Sequence, residues 1–139
     1  MKKRRKSRIL ALHCLYQFDL LEGDINTIFD TTKENFRLKD KLEEFSLKLV
    51  LTTVKNWEEL GKIIDHNSKN WSLNRMCTID RVLIKMGCAE LLYFDELPVS
   101  VTINEMVEIA KAYSTDNSAG FVNAVLDNIA TKLVPDKER

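Results

Sequence analysis

The first eight residues carry six cationic side chains, which are Lys2, Lys3, Arg4, Arg5, Lys6 and Arg8. Each can bind a phosphate oxygen, and arginine adds forked hydrogen bonds that lysine cannot make. The whole chain has 21 basic and 21 acidic side chains, so the residues outside this run have a charge of −6. Because a block of like charge repels itself, the run predicts a polyanionic partner such as RNA, DNA or an anionic membrane surface. A solvated tail without a partner is the alternative.

A second candidate site is the segment 115–123. Asp116, Asn117 and Ser118 are residue types that favour the start of a helix. The free backbone N–H groups of a helix start can bind a phosphate or an exposed base. A plain helix start explains the same residues equally well. Phe121 could stack on a base, although packing in the core is the commoner role for such a side chain.

The sequence contains no recognisable catalytic or metal-binding motif. His13 and His66 are the only histidines, and neither has a ligand at metal-binding spacing. No Gly-rich phosphate loop or G-x-S-x-G motif is present. The three cysteines form no C-x-x-C pair, which favours a reducing cytoplasm. We therefore predict a cytoplasmic protein that is not an enzyme and has no metal, cofactor or membrane span.

The composition indicates an all-α protein, with 45% apolar residues, only four glycines and only two prolines. Apolar residues at three- and four-residue steps predict seven helices in two groups, at about 4–67 and 75–134. Asn56 with Glu59, and Thr102 with Glu105, have the spacing of capping boxes. Cations at the start of the first helix oppose its dipole, so we expect those residues to fray until an anion binds.

Two blocks near the C-terminus, PVSVTINEMVEIAK (98–111) and GFVNAVLD (120–127), resemble the signature of the NusB family of bacterial transcription antitermination factors. The basic run followed by Cys14, Leu15 and Tyr16 is similar to the start of that family. IDRVLIK (79–85) resembles the helix before the signature. The likeness covers nearly the whole chain and is weakest over residues 24–74.

The resemblance implies one all-α domain over residues 1–139, built from two packed three-helix groups, without catalysis. Its implied partners are boxA-type single-stranded RNA of ribosomal RNA leader transcripts, the ribosomal small-subunit protein NusE, and indirectly RNA polymerase. NusE would contact Asp80 and Arg81. RNA would contact Lys2, Lys3, Arg4, Arg5, Lys6, Arg8, Tyr16, Asn117, Ser118 and Phe121.

Three residues depart from the family pattern: His13 replaces a usual glutamine, Asn117 a usual acidic residue, and Ala124 a common glycine. Because Asn117 lacks the negative charge of the acidic residue that is usual there, we expect no loss of RNA affinity. His13 is expected to be packed and hydrogen-bonded. A homodimerising or protein-interaction module with a solvated basic tail remains the alternative function. NusB-like domains also occur in ribosomal RNA cytosine methyltransferases, but the sequence lacks a G-x-G-x-x-G motif.

Overall fold

The computed structural model describes residues 2–68 and 76–139, with side chains from residue 3 onward. Trp71, predicted from the sequence as an apolar anchor, lies outside the described residues. None of the described helices is long and apolar enough to cross a membrane. The described ranges form seven α-helices and one 3₁₀ turn (Lys33–Asn35), the α-helices being α1 Lys2–Leu21, α2 Ile25–Thr32, α3 Asp40–Lys55, α4 Trp57–Asn67, α5 Thr78–Tyr93, α6 Val99–Tyr113 and α7 Ser118–Leu133.

The predicted all-α class is confirmed, but several helix ends differ from the prediction. α2 is capped by Asp24, whose carboxylate accepts a hydrogen bond from the backbone N–H of Thr27 at 3.0 Å. Asn56 forms no such cap, because its side-chain amide donates backwards to the carbonyl of Thr52. α1 is helical from Lys2, so the expected fraying of its first residues is wrong in this structure.

α6 begins at Val99, directly after Pro98, rather than at Thr102. Thr102 and Glu105 therefore lie inside the helix, one turn beyond its start, and the predicted capping box does not form. Their side chains are buried and face other helices. This difference decides the structure of the candidate site described below.

Helix α5 is the centre of the fold, in contact with α1, α3, α4, α6 and α7. Residues 82–91 are buried without interruption, so this helix has no solvent-facing stripe in that segment. Gly87 allows close packing, since a Cβ atom there would lie 2.7 Å from Leu126 Cδ1. Tyr93, at the end of the helix, is 42% exposed.

The helices divide into two groups around this centre. α1 packs against α2 and α3, while α6 and α7 pack against each other and against α5. α4 contacts α5 and α7 more extensively than α3, although it precedes the predicted boundary at residue 67. Trp57 explains part of this contact, because its ring lies under the ammonium group of Lys85 on α5.

The C-terminal residues connect the end of α5 to the start of α6. Lys137 Nζ donates hydrogen bonds to the carbonyls of Glu90, Leu91 and Phe94 at 2.9–3.0 Å. The carbonyl of Glu138 accepts from the N–H of Val99 at 2.7 Å. The bonds from Lys137 add a charged donor to carbonyls at the end of α5, and the bond to Glu138 satisfies the N–H of Val99, which has no intrahelical partner at the start of α6. They fix the two helices that carry the acidic side chains of the candidate site.

Candidate nucleic-acid interface

The basic run lies on the first two turns of α1, and helical geometry divides it between two faces. Residues three apart share a face, so Arg5 and Arg8 point together, while Lys3 and Lys6 point in another direction. Arg8 is only 1% exposed, whereas Lys3 and Lys6 are exposed. Part of the basic run is therefore buried in the fold, and part of it lies on the surface. Arg4 is also exposed, with its guanidinium 4.5 Å from the centre of the Phe45 ring.

The inward face forms an ion-pair cluster with α5 and α6. Arg8 Nε and Nη2 donate to the two carboxylate oxygens of Glu90 at 2.7 and 3.0 Å. Arg5 Nε and Nη2 donate to the two carboxylate oxygens of Glu105 at 2.9 and 2.8 Å. Thr102 donates its hydroxyl hydrogen to Glu90 at 2.8 Å. Two cations thus meet two carboxylates, so the buried charge is balanced.

The electrostatics of the cluster follow from these contacts. The hydrogen bond from Arg5 holds the pKa of Glu105 below its ordinary value, against the opposing effect of burial. The same bond raises the pKa of Arg5. Arg8 Nη1 also lies 3.9 Å from Glu105 Oε1. Both carboxylates have unexposed side chains and are bound by arginine on α1.

This geometry corrects the predicted role of Arg8. Its guanidinium is buried and bound to Glu90, which leaves no surface for an RNA phosphate. Arg5 is also committed to an internal partner, although 30% of its side chain remains exposed. We therefore exclude Arg8 from the predicted RNA contacts.

The outward face borders what we call the basic groove, a cavity of about 390 Å³ between α1 and the segment that precedes α3. Two of its cations, Arg37 and Lys39, were not predicted from the sequence, because they lie in a stretch of mixed charge that contains no run of like charges. Arg37 has φ 49°, the left-handed region that glycine prefers. The groove is lined by Lys3, Lys6, Phe36, Arg37, Leu38, Lys39 and Leu42.

An aromatic row continues from one wall of the basic groove. The ring of Phe36, which lines the groove, lies 5.1 Å from the ring of His13 in an edge-on arrangement. On its other side, His13 lies 6.1 Å from Tyr113. The exposed His13 differs from the predicted packed and hydrogen-bonded side chain, because it contacts rings at the surface. Tyr16, one turn later on α1, is 38% exposed.

The start of α7 supplies fewer surface groups than the sequence predicted. Asn117 is exposed but makes no side-chain capping bond. Ser118 is 2% exposed and donates its hydroxyl hydrogen to Asp80 at 2.8 Å, so its predicted RNA contact is incompatible with this burial. Phe121 packs partly against the core and lines a separate cavity of about 400 Å³.

Comparison with known proteins matches residues 5–131 to the model of the NusB family. The chain belongs to the NusB family. It is 37% identical over 146 residues to the transcription antitermination protein NusB of Geotalea uraniireducens, covering 99% of this chain and all of that protein. A solved T. maritima NusB shares 32% identity at a TM-score of 0.86, over 93% of this chain and 91% of that one.

Another solved structure combines the antitermination factors NusB and NusE with dsRNA. It matches at a TM-score of 0.85 and 28% identity, covering 93% of this chain and 96% of that chain. A protein that shares the fold of this chain has therefore been solved together with a protein and an RNA.

The two residues predicted to bind NusE lie at the start of α5. Asp80 is 8% exposed, and its carboxylate accepts hydrogen bonds from the hydroxyls of Ser114 and Ser118 at 2.7 and 2.8 Å. These bonds give the Asp80 carboxylate a role within the fold, joining α5 to the start of α7, and its contact with NusE stays a prediction. Arg81 forms an ion pair with Asp19 and remains partly exposed.

Metal-ligating side chains do not cluster in the ranges that the structure describes. No group of three or more His, Cys, Asp and Glu residues with metal-binding geometry occurs there. The arrangement can bind phosphates in the basic groove and offer rings beside it.

Proposed function

We propose that this NusB-family chain binds boxA-type single-stranded RNA of ribosomal RNA leader transcripts, together with NusE. It would do so as one RNA-binding domain over residues 1–139 that acts on RNA polymerase indirectly. The observation that carries the proposal is the continuity between the basic groove and the aromatic row, which share Phe36.

The basic groove has the chemistry of a phosphate track. Its four cations make no ion pair within the described part of the chain, whereas Lys33, on the preceding 3₁₀ turn, pairs with Glu43. Four unpaired cations around one cavity can neutralise several phosphates and release their counterions. They are Lys3, Lys6, Arg37 and Lys39. Arg4 and Lys2 extend the proposed set along α1.

The aromatic row has the chemistry of a base-stacking surface. Unpaired bases stack on aromatic rings at about 1–3 kcal/mol each, whereas bases inside a duplex are already stacked on one another. His13 and Tyr113 are both exposed, and Tyr16 and Asn117 are exposed nearby in sequence. A strand whose phosphates lie in the basic groove and whose bases stack on the aromatic row must have unpaired bases, so this arrangement favours single-stranded RNA. Selectivity, which phosphate contacts and stacking both lack, comes from hydrogen bonds to base edges, and the exposed side chains of His13 and Asn117 can make them.

The test is a salt series with a labelled boxA-type RNA, a scrambled RNA and a boxA duplex, with and without NusE. Four phosphate contacts predict a slope of log K against log salt of about −3 for a single strand. The double variant Lys6→Gln/Lys39→Gln should flatten the slope to about −1.5. These substitutions leave the ion-pair cluster intact, which a deletion of residues 1–8 would not.

The matched control is Lys62→Gln/Lys132→Gln, which removes two exposed cations from α4 and α7 and should leave the slope unchanged. Equal slopes for the two double variants would refute the groove assignment. Equal affinity for boxA and scrambled RNA, even with NusE present, would refute sequence-selective binding. A dimer without RNA affinity would instead support the homodimerising alternative.

A further inference from the structure

We propose that Glu105 is a positioning residue for RNA binding, which holds the first turns of α1 so that Lys3 and Lys6 line the basic groove before RNA arrives. The inference rests on the proposed function. It assigns a role to an acidic side chain that no phosphate could contact directly, since Glu105 has an unexposed side chain.

The start of α1 needs an external anchor. Its first turn contains no acidic residue, and its cations are unfavourable at the positive end of a helix dipole. Among residues 3–6, Arg5 alone makes side-chain hydrogen bonds, and both go to Glu105. The next anchors are one turn later: Ser7 donates to the carbonyl of Leu42 at 2.8 Å, and Arg8 binds Glu90. Glu105 is therefore the outermost hydrogen-bonding anchor of the helix start.

The same pair also joins the two parts of the proposed RNA surface. Glu105 lies on α6, which ends at Tyr113 in the aromatic row. Eight residues of helix separate them, a distance of about 12 Å at 1.5 Å per residue. The Arg5–Glu105 pair consequently fixes the helix that carries the phosphate-binding lysines against the helix that carries a base-stacking ring. Without it, the start of α1 would lose its hydrogen bonds to α6.

Glu105→Gln distinguishes positioning from simple electrostatics, because the two predict opposite signs. Removing a negative charge near a phosphate site should tighten RNA binding and, by freeing Arg5, steepen the salt slope by about 0.7. Positioning predicts weaker binding instead, by at least fivefold at low salt. The slope should flatten, because the released helix start carries Lys3 and Lys6 away from the groove.

Glu108→Gln is the matched control on the same helix. It removes an equal charge close enough to act on Arg5, but Glu108 pairs with Lys111 of its own helix rather than with α1. We expect it to leave RNA affinity unchanged or slightly increased. Glu105→Asp keeps the charge while shortening the side chain, so a loss of affinity there would be positional. Glu105→Asp also tests the proposal if Glu105→Gln does not fold.

A second measurement needs no RNA. Amide hydrogen exchange of residues 6–8 in the free protein should accelerate at least tenfold in Glu105→Gln and remain unchanged in Glu108→Gln, with the melting temperature showing that both variants fold. The proposal is overturned if Glu105→Gln binds RNA as tightly as wild type, or if its exchange is unchanged. If wild type binds neither the boxA-type RNA nor the scrambled RNA, the proposed function fails. The hydrogen-exchange rates alone then decide whether Glu105 orders the start of α1.

Discussion

Lys85 is a cation in the middle of the central helix, and its titration should be measurable as a change in stability. Only 3% of the residue is exposed, and Nζ lies 3.6 Å from the centre of the Trp57 ring. Burial lowers the pKa of Lys85 from 10.5 to about 8, an effect that Asp19 opposes and Arg81 reinforces. The unfolded chain therefore keeps this proton at pH values where the folded chain has released it.

The sign of the effect follows from this difference in proton binding. Between about pH 8 and pH 10.5 the unfolded state binds more protons at this site than the folded state. The contribution of Lys85 to the free energy of unfolding therefore rises with pH across that window. With 1.36 kcal/mol per pH unit, the gain from Lys85 between pH 7 and pH 9 is about 1.3 kcal/mol. The cysteines oppose it as the pH approaches their ordinary pKa of 9.0, because burial raises the pKa of Cys14 to about 11 and of Cys88 to about 12. This opposing effect is common to wild type and to a variant at Lys85, so it cancels in their difference.

The perturbation is Lys85→Met, which removes the charge and keeps an unbranched side chain. Urea unfolding followed by circular dichroism at 222 nm, at half-unit steps from pH 7 to pH 9, gives the free energy of unfolding for each protein. Wild type should gain about 1.3 kcal/mol relative to Lys85→Met over this range. Lys62→Met, at an exposed position of α4, should retain the wild-type slope. Parallel curves for wild type and Lys85→Met would refute the reasoning.

Two further predictions concern packing and thiol reactivity. Gly87→Ala should lower the free energy of unfolding by up to about 2 kcal/mol, because the new methyl group overlaps the buried Leu126. Gly120→Ala, with open space around it, should raise the free energy of unfolding by up to about 1 kcal/mol. Thermal unfolding measures both variants, and a change of the same sign in both would contradict the prediction. In the native protein a thiol reagent should modify Cys77 alone, since it is exposed while burial raises the pKa of the other two thiols to about 11 and about 12. Reaction of all three at one rate in native protein would show that this burial is wrong.

The sequence by itself determined the features that depend on local pattern. Apolar spacing predicted seven helices, and the described ranges contain seven α-helices. The blocks around 98–111 and 120–127 identified the family, which the comparisons confirm. These features could be predicted because helical periodicity and short motifs lie within a few turns of chain. The predicted capping boxes do not form, because Asn56 donates to the carbonyl of Thr52 one turn earlier and Glu105 binds Arg5 on α1.

Only the tertiary structure decided which cations are free. Arg8 meets Glu90 across 82 residues of sequence, and Arg5 meets Glu105 across 100. Charge composition cannot distinguish these two arginines from Lys3 and Lys6, because their difference lies in which face of α1 the other helices cover. Arg37, likewise, joins the basic groove only because its connecting segment packs beside α1. The sequence thus determined the basic character of α1, and packing between distant helices divided its cations into a buried anchor and an exposed face.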